Sequence, residues 1–340
     1  MIEEVDKVRI LISTCNQKQP LQRTLDSIRL QTYGEDNIEV IIVDFGSDEE
    51  MYLWMLNYPM KHLAIYRKDS RIREALDYYT ANLLSIMSSR IHNKYILELC
   101  PGDIINPEYI QKCITLMNQY KNQEVGGIIC EAMLEDEEGV VKRQNPLFDK
   151  DRIITRNDRL EYLTRGATHR ILYFDKRKEM DAGANFDGWL YYDPHYWTYR
   201  FTQGNNENML YLHDEGGSIY TESINCNNIL QKMIATYVSI LQFIRTYENS
   251  ETDRINLKEQ TQIYINFAYL SLIMACECAK QGEDKAAEDC CLFSKVIYLP
   301  ISETNLYNEI YRMLGTKDQN AWKKMIDIIV SEREGGKNDE

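Results

Sequence analysis

The sequence predicts an α/β domain with a mixed, mainly parallel sheet flanked by helices, followed by an all-helical domain. Three observations carry that reading. The first hundred residues alternate short apolar strands with amphipathic stretches. The segments that end those strands are turn-forming and polar. Beyond about Asn225 every apolar stretch has helical spacing.

The strands come first. "VRILIST" (Val8 to Thr14) and "IEVIIVD" (Ile38 to Asp44) are short runs rich in β-branched residues, and "HLAIYR" (His62 to Arg67) is a third. Between the first two, "LQRTLDSIRLQT" spaces Leu21, Leu25, Ile28 and Leu30 as a helix would, with Pro20 at its start. A helical stretch from about Arg71 to His92 leads to the strand "YILEL". This β-α-β-α order requires right-handed parallel crossovers. Ligands of such sheets sit beyond the carboxyl ends of the strands, here Thr14 to Asn16, Asp44 to Ser47 and Cys100 to Asp103. From Gly126 the expected strands are "GGIICEAML", "RILYF" and two in "NMLYLHDEGGSIYTES", with a helix near "RNDRLEYLTRG".

The second domain is expected over 226–332, after an α/β domain at 1–225, with a disordered tail at 333–340. Its helices are "NNILQKMIATYVSILQFIRTY", "LKEQTQIYINFAYLSLIMACECAKQ", "DKAAEDCCLFSKVIY" and "WKKMIDIIVSE". The second of these is interrupted by Asn266 and reads as a buried helix, so no transmembrane segment is expected.

Composition narrows the function. A chain of 340 residues with 44% hydrophobic and 27% charged residues is ordinary for a globular protein. A formal net charge of -14 opposes nucleic-acid binding, which needs a basic footprint. Nine cysteines, including Cys276-x-Cys278 and Cys290-Cys291, lack zinc-ligand spacing and read as buried free thiols. With no signal peptide at the acidic N-terminus, a cytoplasmic location is expected.

The opening "VRILISTCNQKQPLQRTLDSIRLQTYGEDNIEVIIVDFGSDEE" resembles glycosyltransferase family 2, an inverting family with the GT-A fold. The family's strand ending P-T-Y-N corresponds to Ser13-Thr14-Cys15-Asn16, its Q-T to Gln31-Thr32, and its D-D-G-S-x-D to Asp44-Phe45-Gly46-Ser47-Asp48. The resemblance continues through "YILELCPGDIINPEYI" to about Ser223. It implies a nucleoside-diphosphate sugar donor, UDP-linked, held by Thr14, Asn16, Asp44 and Ser47. It also implies a glycan, lipid-linked or protein hydroxyl acceptor.

In "YDPHYW" (Tyr192 to Trp197), the family's E-D-x-D-x-W places its general base at Asp193. A carboxylate there would take the acceptor's proton. Asp193-Pro194 also reads as a helix N-cap followed by proline at the first position. The aromatic residues Trp189, Tyr191, Tyr192, Tyr196, Trp197 and Tyr199 read either as a sugar-stacking floor or as core packing. His195 and His213 have no partner at a recognisable spacing and read as structural.

The departures gather at the metal turn. The family's D-x-D-D corresponds to Cys100-Pro101-Gly102-Asp103, which leaves Asp103 as the candidate ligand for manganese or magnesium. A thiol at Cys100 does not suit either ion. Ser223 stands where the family often has a histidine. Arg71, Arg73 or Arg200 would then stabilise the leaving diphosphate. The alternative reading is a catalytically inactive homologue, a scaffold or partner subunit working through the helical domain. That domain is also the expected surface for homo-oligomer formation.

Overall fold

The computed structural model describes residues 6–67, 95–123, 125–131, 133–135, 139, 141–142, 148–155, 158, 171–176, 208–213, 218–221, 229–248 and 254–335. Two compact units result. A sheet unit ends by residue 222, and a helical unit takes the chain in the main from residue 223.

The sheet unit begins with β1 (Val8–Thr14), α1 (Lys18–Arg29), β2 (Ile38–Asp44), α2 (Glu49–Leu56) and β3 (Leu63–Arg67). Then come β4 (Tyr95–Leu99), β5 (Ile104–Ile105), α3 (Tyr109–Gln119), β6 (Val125–Glu131), β7 (Met133–Glu135) and β8 (Val141–Lys142). It continues with β9 (Arg152–Ile154), β10 (Ile171–Lys176), β11 (Asn208–Tyr211) and β12 (Ser218–Thr221). Eight described strands form one sheet in the order β3-β2-β1-β4-β10-β6-β11-β9. β1 pairs in parallel with β2 and β4, and β2 with β3, while β10 runs antiparallel between β4 and β6. A second sheet orders β5-β12-β7-β8.

Strands buried on both faces are apolar over most of their length, and β1 and β2 read as apolar runs broken by Arg9 and Glu39, which pair across the strands at 2.6 Å. Ile10, Ile12, Val40 and Ile42 are fully buried, and Leu21, Leu25 and Ile28 of α1 pack into the same core. Tyr109, Ile110, Cys113 and Ile114 of α3 join it. The Gln31-Thr32 pair has a structural task here. The buried Gln31 amide donates to Asn106 O at 2.7 Å and accepts from Ile110 N at 3.2 Å. One of the unpaired N–H groups at the start of α3 is thereby satisfied. Thr32 N donates to Pro107 O at 2.8 Å.

The helical unit consists of α4 (Ile229–Glu248), α5 (Leu257–Lys280), α6 (Asp284–Ile297), α7 (Asn305–Met313) and α8 (Gln319–Gly335). Asn256 and Glu259 cap α5 reciprocally, the two-way arrangement that satisfies two free N–H groups. Gly282, at φ 81°, reverses the chain into α6. The Ser271 hydroxyl donates to Cys290 O at 2.7 Å, and Trp322 is fully buried at the centre. By length and composition α5 would suffice to cross a membrane, yet 61% of its most apolar window is buried within the protein.

Several details differ from the sequence reading. α2 and α7 were not expected. α2 is apolar on several sides, with Met51 and Met55 buried but Leu53 and Leu56 exposed, so it lacks a one-sided helical pattern, and it begins where Asp48 accepts from Met51 N. α7 is a nine-residue helix capped by Thr304. α8 runs to Gly335, three residues past the expected boundary, through Arg333 and Glu334, which favour helix, to a glycine at its end. The expected helices over 71–92 and near "RNDRLEYLTRG" lie outside the described residues, apart from Asp158.

Candidate functional site

β1, β2 and β3 end level with one another. Thr14 is the register partner of Asp44, and Asp44 that of Arg67. The polar residues after these strands are therefore neighbours because the sheet is parallel.

The loops after β1 and β2 are joined by side chains. Asn16 N donates to Ser47 Oγ at 2.9 Å, and Asp48 N donates to Asn16 Oδ1 at 2.8 Å. Phe45 N donates to Thr14 O at 2.9 Å. Asp44 is fully buried, and its Oδ1 accepts from Ser47 N at 3.0 Å and Ser47 Oγ at 2.5 Å. Two residues take backbone conformations that serve this join. Gly46 has φ 82°, which permits the tight turn after Phe45. Asn16, at φ 53°, is the one described non-glycine residue with positive φ, a region that Asn tolerates better than most. Thr14 is 2% exposed and its hydroxyl has no hydrogen-bond partner. Leaving such a group unpaired costs on the order of 1–3 kcal/mol.

Arg67 completes the cluster. Its Nε lies 3.6 Å from Asp44 Oδ2, and its Nη2 donates to Ser47 O at 2.8 Å. Its Nη1 pairs with Glu49 Oε2 at 3.1 Å, and the guanidinium stacks 4.3 Å from the centre of the Tyr52 ring. The sequence reading ended a strand at Arg67 without assigning it a role. Its position at a strand's carboxyl end was the one sign in the sequence, and its place beside Asp44 follows from the register.

The third loop is built differently. Asp103 is 2% exposed, and its Oδ2 accepts from Cys100 N at 2.7 Å. Asp103 N donates to Cys100 O at 3.0 Å, closing the turn, and Gly102 has φ 106°. The buried Thr24 hydroxyl of α1 donates to Cys100 O at 3.2 Å and accepts from Gly102 N at 2.9 Å. The turn is thus strapped to α1. As a divalent-cation site it fits poorly, because the remaining side chains of the turn supply no second oxygen ligand. Among the described residues no group of three or more His, Cys, Asp or Glu could hold a metal ion.

The structure brings Thr14, Asn16, Asp44 and Ser47 together and sets Asp103 in a separate turn. Arg71, Arg73, Asp193, His195, Arg200, Ser223 and the aromatic residues from Trp189 to Tyr199 lie outside the described residues. His213 N donates to Asp151 Oδ1 at 2.7 Å. The described cysteines are free thiols. Burial pushes Cys291 up to about 11, and Cys276 higher still, so neither is a nucleophile near neutral pH.

Residues 9–71 match the family described as Glycosyl transferase family 2. An uncharacterized glycosyltransferase of Haemophilus influenzae is 26% identical over 162 residues, 44% of this chain and 47% of that protein. One from Rickettsia prowazekii is 29% identical over 118 residues, 35% of this chain and 34% of that protein. The N-terminal region is thus similar to glycosyltransferase family 2. The match spans about half or less of the length of these relatives. Among solved structures, S. aureus TarS 1-349 in complex with UDP is 15% identical, with a TM-score of 0.52 over 90% of this chain and 91% of that one. A longer S. aureus TarS structure gives 0.51 at 14% identity over 94% of this chain and 55% of that one. At such identity the likeness is one of fold, and the fold is GT-A, with the helical region following it. The segment that matches the family 2 model contains all the described residues of the joined loops and Arg67.

Proposed function

We propose that this chain is an inverting glycosyltransferase that transfers a sugar from a nucleoside-diphosphate donor, UDP-linked, to a hydroxyl acceptor. One observation carries the reading. A family 2 segment folds its first two strand-end loops into a single polar cluster, where the Thr14 hydroxyl is buried without a partner. In this reading Thr14, Asn16, Asp44 and Ser47 receive the nucleoside. Arg71 neutralises charge on the diphosphate, and Asp103 shapes that end of the site. The acceptor oxygen attacks the anomeric carbon and its proton passes to Asp193. The bond from that carbon to the diphosphate breaks, and the nucleoside diphosphate leaves with the electron pair. Residues 1–225 form the transferase domain and 226–332 a domain for the acceptor, a partner or self-association. The free thiols suit a reducing compartment, and the cytoplasm is the proposed location.

The test is UDP release by the purified full chain from UDP-glucose, UDP-galactose and UDP-N-acetylglucosamine, with and without manganese. Turnover is expected, and Asp193→Asn should lower it by about 10²–10⁴-fold while UDP still binds. Failure to bind uridine nucleotides at all would overturn the reading. Binding without turnover would favour the inactive partner subunit, a reading supported by Asp103 being engaged within its own turn.

A further inference from the structure

We infer that Arg67 is a positioning residue for donor binding, one that sets Asp44 and Ser47 for the nucleotide. The inference rests on the transferase reading and extends it to a residue in the third strand.

The argument is geometric. A carboxylate can receive a base or ribose group with selectivity only if its orientation is fixed. Ser47 fixes one oxygen of Asp44 with two hydrogen bonds. The other oxygen faces Arg67 Nε at 3.6 Å, in a fully buried setting where a lone negative charge would be costly. The same guanidinium holds the Ser47 carbonyl, and through Glu49 and Tyr52 it holds the first turn of α2. Arg67 therefore ties the end of β3 to the end of β2, the loop after it and the next helix. Both Nη nitrogens are hydrogen-bonded to protein groups and Nε lies 3.6 Å from Asp44 Oδ2, which points to action through Asp44 and Ser47 and not through contact with the donor. A lysine has no planar fork and could reproduce one of these contacts at a time.

The experiment compares the full chain with Arg67→Ala, Arg67→Lys and Glu49→Gln. UDP and GDP binding are measured by calorimetry, and the amide exchange of Gly46 to Asp48 by mass spectrometry. For Arg67→Ala the UDP dissociation constant is expected to rise about tenfold or more, with faster exchange in that loop. Arg67→Lys should recover only part of the affinity, although it keeps the charge. Glu49→Gln removes one exposed partner and should stay within about twofold. In turnover, the donor KM should rise while kcat holds. A residue that merely supported the fold would reduce the active fraction and leave the dissociation constant unchanged. Unchanged UDP affinity in Arg67→Ala, or full rescue by lysine, overturns the inference and leaves the transferase reading standing. If the unmodified chain binds neither UDP nor GDP, the transferase reading falls and this inference with it.

Discussion

Two buried carboxylates at the same edge of one sheet are used in opposite ways. Asp44 closes its own loop and also reaches beyond it. One oxygen is held by Ser47, the other lies against Arg67 of the next strand, and the loop is laced to Asn16 after β1. Asp103 turns inward. Its carboxylate accepts the Cys100 N–H three residues back, and the turn is fastened to α1 by Thr24. The first arrangement spends a positive-φ asparagine and an unpartnered threonine hydroxyl on joining two loops. The second closes itself with a glycine and ordinary hydrogen bonds. A carboxylate at a strand end is thus weak grounds for a ligand. Both close their own turns; Asp44 in addition meets Arg67 of the neighbouring strand. A residue that accepts a strained backbone to make such a link, as Asn16 does, is the better candidate for binding.

The largest effect should come from Asp44→Ala. It leaves a buried serine network without its acceptor and Arg67 without its main counter-charge. A loss of about 3 kcal/mol in urea unfolding is expected, together with loss of measurable UDP binding. On the other side of the comparison, Thr24→Val keeps the shape and removes the hydroxyl part of the strap. It should cost about 1 kcal/mol or less, because Gly102 N–H keeps Pro20 O at 3.1 Å as an acceptor. Its effect on UDP affinity should be small. Asp103→Asn is the sharper test of the turn. The amide oxygen can still accept from Cys100 N, so stability should change by about 1 kcal/mol or less. If Asp103→Asn instead abolished a manganese-stimulated turnover, the contrast between the two carboxylates would break.

Much of the fold was legible, for definite reasons. β1, β2 and β4 could be read to the residue because buried parallel strands are apolar over most of their length, and their ends follow from the turn chemistry after them. α5 and α6 were legible from helical spacing and the short "QGED" turn. α2 was not, because its amphipathicity is weak and its start looks like a turn. The loop residues Thr14, Asn16, Asp44 and Ser47 could be named from the resemblance, but their mutual hydrogen bonds depend on strand register, which a single sequence does not carry. Gln31-Thr32 shows the same limit. The motif was visible, whereas its task, joining α1 to the start of α3, needed the Asn106 carbonyl and the Ile110 N–H in place. Arg67 was missed because one arginine at a strand end has no pattern around it.

The smallest expected effect separates strain from hydrogen bonding at Asn16. Its φ of 53° is costly for a residue with a Cβ, and its Oδ1 accepts the Asp48 N–H. Asn16→Gly removes the hydrogen bond but relieves the backbone, so the two changes offset and stability should move by about 0.5 kcal/mol or less. Asn16→Ala loses the bond and keeps the strain, and should cost about 1–2 kcal/mol. Asn16 is exposed, so water can solvate the freed Asp48 N–H in both variants and holds the difference near the lower figure. Urea midpoints of the two variants measure it. Equal midpoints would mean that the backbone relaxes away from positive φ once the side chain is gone. In that case the join between the loops, and not the conformation of Asn16, is what distinguishes this edge from the Asp103 turn.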